Sequence, residues 1–153
     1  MQGAAYLIPL AFAGAAATAA TAPGPQAGRW THVTQLVSAD IPGVPETLIR
    51  AADKREPRTT CLTAKQAAAT PQVLLHAPGA TCSSRSYTLA AGKIRGQSLC
   101  RVKELETPVK TVTTGTYSAK GYVTRSVTTG TRGGRPLKVV TATSGKWLGT
   151  ACR

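Results

Sequence analysis

Cys82-Ser83-Ser84-Arg85-Ser86-Tyr87-Thr88-Leu89-Ala90-Ala91-Gly92-Lys93-Ile94-Arg95-Gly96-Gln97-Ser98-Leu99-Cys100 is the stretch whose reading decides the fold. Residues 82–89 and 93–102 mix β-branched, aromatic and hydroxyl side chains, the composition of half-buried strands. Ala90-Ala91-Gly92 between them is a turn signal. In an antiparallel pair folded about Ala91, Cys82 and Cys100 are equidistant from the centre and face each other. Opposed residues lie about 4.5–5.5 Å apart at Cβ, close to the separation a disulfide accepts. The hairpin therefore predicts a Cys82–Cys100 bond. Of the four cysteines, Cys61 and Cys152 remain, and they are expected to form the second bond.

The same pattern continues downstream. Strands are expected at 109–117 and 122–129, flanking the turn Ser118-Ala119-Lys120-Gly121. A Gly- and Arg-rich loop at 130–136 leads to a strand at 137–143. Val112-Thr113-Thr114-Gly115-Thr116 is echoed by Val127-Thr128-Thr129-Gly130-Thr131. We read both as Thr-rich strand ends leading to turns, with alternate hydroxyls on one sheet face. Short strands with regular turn signals indicate a mainly β domain, an antiparallel sheet of sandwich or up-and-down barrel type.

Upstream, Trp30-Thr31-His32-Val33-Thr34-Gln35-Leu36-Val37 reads as a strand, and Pro42-Gly43-Val44-Pro45 breaks it. Residues 46–58 are charged and poorly periodic, which fits a short strand at 47–51 or a loop. The clearest helix signal follows Cys61-Leu62. Thr63 with Gln66 three residues later makes a capping box for a short helix at 64–69, and Pro71 suits the first position of another turn. One or two short helices are thus expected beside the sheet, with Trp30 and Trp147 as core anchors among few aromatics.

Residues 1–22 read as a signal peptide. The first 28 residues carry no charged side chain, and the Ala-rich run ends in small-x-small patterns that place cleavage near Ala19 or Ala22. Residues 23–28, with Pro23, Gly24, Pro25 and Gly28, read as a linker, and 29–153 as a single β-rich domain. No lipid-attachment Cys follows the apolar run. The even cysteine count fits an oxidising compartment. Their wide spacing, with His32 and His76 remote from them, is unlike a zinc site.

Charge is the other strong feature. The chain has 19 Lys plus Arg against 6 Asp plus Glu, a formal net charge of +13, and no acid follows Glu106. Such a surface attracts polyanions. Arg125, Arg132, Arg135 and Lys138 are the candidate anion-binding residues. Catalytic chemistry is not indicated. The acid pairs Asp53/Glu56 and Glu104/Glu106 sit among basic residues and read as solvated charge clusters rather than a general acid–base pair. There is no G-x-S-x-G, Gly133-Gly134 lacks the lysine and context of a phosphate loop, and both histidines read as structural or exposed. No cofactor, metal ligand set or sequence-specific nucleic-acid motif is expected.

Four landmarks together resemble the domain-of-unknown-function family 3617, small exported proteins of Gram-negative bacteria. They are Ala27-Gly28-Arg29-Trp30-Thr31, then Cys61-Leu62-Thr63 before a helix, then the Cys82-to-Cys100 hairpin. The last is Ser144-Gly145-Lys146-Trp147-Leu148-Gly149-Thr150-Ala151-Cys152. Arg29 and Thr31 depart from the family's Leu-Trp-Glu-like opening, and one extra residue precedes Cys152. The resemblance implies export, two disulfides and a β-rich domain, with no known activity or catalytic residues. The expected function is a non-enzymatic periplasmic or secreted binding module for an anionic envelope polymer or lipid headgroup. A small barrel-like carrier of an apolar ligand is the alternative, and a hydrolase of unknown class the second alternative.

Overall fold

The computed structural model describes residues 23–53, 56–76 and 81–152. The expected signal peptide, with its cleavage near Ala19 or Ala22, lies outside the described residues. Seven strands form one antiparallel sheet: β1 (Gly28–Asp40), β2 (Arg58–Leu62), β3 (Thr81–Ala90), β4 (Lys93–Arg101), β5 (Val109–Tyr117), β6 (Gly121–Arg132) and β7 (Arg135–Gly149). Their spatial order is β2-β1-β7-β6-β5-β4-β3. β3 to β7 make a meander, and β1 joins it beyond the last strand. Helices α1 (Glu46–Ala52) and α2 (Ala64–Ala69) and a 3₁₀ turn at Pro71–Leu75 complete the fold.

The sheet curls into a half-barrel. On a flat sheet, β1 and β4 would stand about 19 Å apart, four spacings of roughly 4.8 Å. Trp30 of β1 and Ile94 of β4 nevertheless share one buried cluster with Leu62, Leu74 and Tyr122. Leu74, from the 3₁₀ turn, fills the hollow between them. Two inward-facing glycines permit the close approach. A Cβ at Gly145 would overlap the Tyr122 ring, and one at Gly96 would overlap the Tyr87 ring. Both tyrosines lie against bare backbone of the neighbouring strand. The sheet has two ends, β2 and β3, so the barrel-like expectation holds in the form of an open half, and the described residues form no second sheet to make a sandwich.

The two disulfides pair as expected, Cys82 with Cys100 and Cys61 with Cys152. The register behind the first differs from the one inferred. Ala90 pairs with Lys93 around a two-residue turn, Ala91-Gly92, and that register runs as far as Ser84 opposite Leu99. A bulge between Cys82 and Ser84 then slips the strand by one residue and brings Cys82 opposite Cys100. The turn has positive φ at both positions, 48° at Ala91 and 72° at Gly92, the type I′ geometry whose twist suits a hairpin.

Other boundaries move for identifiable reasons. The segment at 47–51 is helix α1, not a strand or loop: Pro45 caps it and Glu46 pairs with Arg50 one turn on, at 2.6 Å. None of its residues is buried, which is why it shows no apolar period. α2 carries the full Thr63–Gln66 capping box. The expected 130–136 loop shrinks to Gly133-Gly134, with φ of 56° and 72°, because β6 and β7 pair out to Arg132 and Arg135. The Thr echo lies inside strands rather than at their ends, with Val112 directly opposite Val127. The expected linker is tied down at its end. Pro25 is buried, Gln26 N–H donates to Ala119 O, and the indoles of Trp30 and Trp147 donate to Gln26 O and Ala27 O.

Candidate functional site: a concave trough and a basic convex face

Curling gives the sheet two faces of different chemistry. The concave face begins with the aromatic cluster. Tyr122 sits in β6 beside Gly145, and His32 in β1 sits on the other side of Gly145. The missing side chain lets their side chains meet across β7. The His32 Nδ1 and the Tyr122 hydroxyl are 2.6 Å apart, and that hydroxyl also approaches Leu74 O at 3.4 Å. Whichever ring nitrogen carries the proton, Nε2 is buried without a hydrogen-bond partner among the described residues. His32 is 2% exposed. Burial, helped by the Arg58 guanidinium, lowers its pKa from 6.5 to about 4, so the ring is neutral at pH 7. Burial pushes the Tyr122 hydroxyl up to about 12, with Arg58 pulling the other way. Two neutral groups joined by a short hydrogen bond are a structural clasp.

Beyond the clasp the concave face turns polar. Thr34, Thr143, Thr124, Thr113, Ser126 and Thr141 line a hollow of about 170 Å³, with Arg58 and Tyr87 at its sides. The hydroxyls pair across strands: Thr34 with Thr143 at 2.8 Å, Thr113 with Ser126 at 2.9 Å, and Thr111 with Thr128 at 2.8 Å. Each pair uses one of its two O–H donors and keeps the other. These cross-strand hydroxyl pairs make the inner surface polar, whereas Thr114 and Thr129 of the Thr echo fall on the convex side. Next comes a cavity of about 220 Å³ beside the Cys82–Cys100 bridge, with His76, Arg85 and Tyr87 on its wall. Burial and then Arg85 lower the pKa of His76.

The trough ends in an apolar groove of about 380 Å³. Its floor is Val109 of β5, Thr128 of β6, and Leu137 and Val139 of β7. One wall is the turn after β1, with Ile41 and Val44, and the other is the turn after β4, with Val102, Glu104 and Leu105. Arg132 crosses its rim and donates to Pro42 O at 3.2 Å. Nothing in the sequence signalled this groove, because its walls come from turns about sixty residues apart in the chain.

The convex face is basic. Strands β3 to β7 contain no Asp or Glu. Alternation puts Lys93, Arg95, Lys110, Arg125, Lys138 and Lys146 on the convex side, all exposed. Arg95 and Arg125 stand in one cross-strand row with Thr114 between them, and Lys110 and Lys138 in another with Thr129 between them. Two strand spacings separate each pair, about 10 Å. The anion-binding candidates are thus divided. Arg125 and Lys138 belong to the convex rows. Arg132 and Arg135 face each other at the Gly133-Gly134 turn, where Arg132 borders the apolar groove. The convex partners Lys93, Arg95 and Lys110 were missed, although strand alternation alone places them.

No curated protein and no solved structure matches the chain. The model of a family described as protein of unknown function (DUF3617) matches residues 25–152. That span takes in the tied-down Pro25–Gly28 segment, the whole curled sheet and the last cysteine, so the chain belongs to the DUF3617 family.

Proposed function

We propose that the chain is an exported, non-enzymatic binding module of the bacterial envelope that engages a phosphate-bearing anionic surface through its convex sheet face. The observation that carries this reading is the pair of cation rows on strands that contain no acid. Cations about 10 Å apart are separated by slightly more than the roughly 8 Å screening length at physiological salt. They repel one another little, while a polyanion spanning a row meets both of its cations at once. The first row is the stronger, because Asp40 of β1 stands opposite Lys138 at the end of the second. Two disulfides in a small chain support an oxidising compartment, periplasmic or secreted.

The test is binding to immobilised heparin and to vesicles containing anionic lipid, over a salt series. Affinity falls steeply with salt, and the double reversal Arg95→Glu with Arg125→Glu weakens it far more than Arg132→Glu with Arg135→Glu. Equal retention of the two double variants, or retention insensitive to salt, overturns the convex-face reading.

A further inference from the structure

The apolar groove is a second site, on the opposite face and of a different chemistry. Its volume of about 380 Å³ falls within the roughly 300–1,000 Å³ of small-molecule sites, which are mostly apolar with a few placed polar groups. Folding has not hidden this surface well: Val102 remains 39% exposed, and Ile41, Val44, Leu105 and Val139 are only partly buried. Each wall is held in shape by contacts of its own. Ile41 and Val44 form an isolated bridge, and Leu105 N–H donates to Val102 O, so each wall is a closed turn rather than loose chain.

Charge at the rim selects the occupant. Arg132 spends one N–H on Pro42 O, which fixes the guanidinium over the groove mouth and leaves its other donors free for a carboxylate or phosphate. Arg135 sits directly opposite at the turn. Among the described residues that line the groove, Glu104 is the one acid and Arg132 the one cation, and Arg135, paired with Arg132 at the adjoining turn, adds a second positive charge near the mouth. An apolar trench with a net positive mouth fits one class of ligand.

We propose that this groove holds the alkyl chain of a single-chain anionic amphiphile, with a fatty acid as the simplest example, and that Arg132 and Arg135 receive its headgroup. The site is separate from the convex face and does not depend on that reading.

The experiment is titration of the folded, oxidised protein with alkyl carboxylates below their micelle concentration, followed by calorimetry. Dodecanoate binds one to one. Affinity rises about fourfold for each methylene added from octanoate, the ratio expected for burying one CH₂, until the groove is full. Dodecyltrimethylammonium, with the same chain and the opposite charge, binds at least tenfold more weakly. Leu105→Asp, in a turn, removes dodecanoate binding, and Arg132→Glu with Arg135→Glu abolishes the preference for the carboxylate. Arg95→Glu with Arg125→Glu leaves dodecanoate binding unchanged. Circular dichroism of each variant shows that the sheet is intact. Absence of saturable dodecanoate binding overturns the proposal, as does equal binding of the cationic amphiphile. A concentration-dependent dimer that Leu105→Asp dissociates also overturns it, by showing a second copy in the groove.

Discussion

Acidification from pH 7 to pH 4 tests the His32–Tyr122 clasp directly. In the folded chain, burial and Arg58 hold the His32 pKa at about 4, against 6.5 for a free side chain. The unfolded chain therefore takes up the proton first. Above pH 6.5 neither state is protonated at this residue, and its contribution is constant. Between pH 6.5 and 4 the unfolded state alone is charged, and stability falls by about 1.4 kcal/mol per pH unit, about 3 kcal/mol in all. Below pH 4 both states are protonated and this loss levels off. A small domain has only about 5–15 kcal/mol to lose, so the effect is large. His76 adds to it with the same sign, since its pKa is also lowered. Urea unfolding, followed by the fluorescence of Trp30 and Trp147, measures the loss across this range. The informative comparison is with His32→Gln, which can still bond Tyr122 but does not titrate. General charge repulsion and His76 affect both proteins alike, so the difference isolates His32. Wild type loses about 3 kcal/mol more than the variant between pH 7 and 4. Parallel curves, or a ring titrating near 6.5 by NMR, refute the account of the clasp.

Two further outcomes concern stability. Removing the Cys61–Cys152 bond, which closes a separation of 91 residues, costs about 4.5 kcal/mol by loop entropy. Removing Cys82–Cys100, with a separation of 18, costs about 3 kcal/mol on the same basis. Thermal melts of the two double-alanine variants rank them, and a larger loss from the short bridge contradicts the entropic argument. Ala91 holds a φ of 48°, a conformation that disfavours a Cβ by roughly 1–2 kcal/mol and that Asn before Gly adopts readily. Ala91→Asn therefore raises stability by about 1 kcal/mol in urea unfolding, and a neutral or lowered midpoint counts against the turn geometry.

Local chemistry made much of this fold legible in advance. The Thr63–Gln66 capping box, a turn near Ala91 and the strands from 82 onward depend on residues near one another in sequence, and counting gave the right cysteine partners from a register one residue off. The charge asymmetry was equally plain, and strand alternation turns it into a basic face. What the sequence left open depends on distant partners. The bulge at Ser83 adjusts the hairpin so that the cysteines meet, and no local rule announces a one-residue slip. α1 buries nothing, so it has no apolar period to betray it. The extension of β6 and β7 past Gly130 required each strand to have the other as a partner. Above all, the curl of the sheet brings Trp30 to Ile94, sets His32 against Tyr122 across Gly145, and faces the turn after β1 toward the turn after β4. Strand propensity is a property of a few consecutive residues. The curvature that makes a trough, a clasp and a groove comes from side chains of separate strands competing for one concave space, and only the tertiary structure resolves that competition.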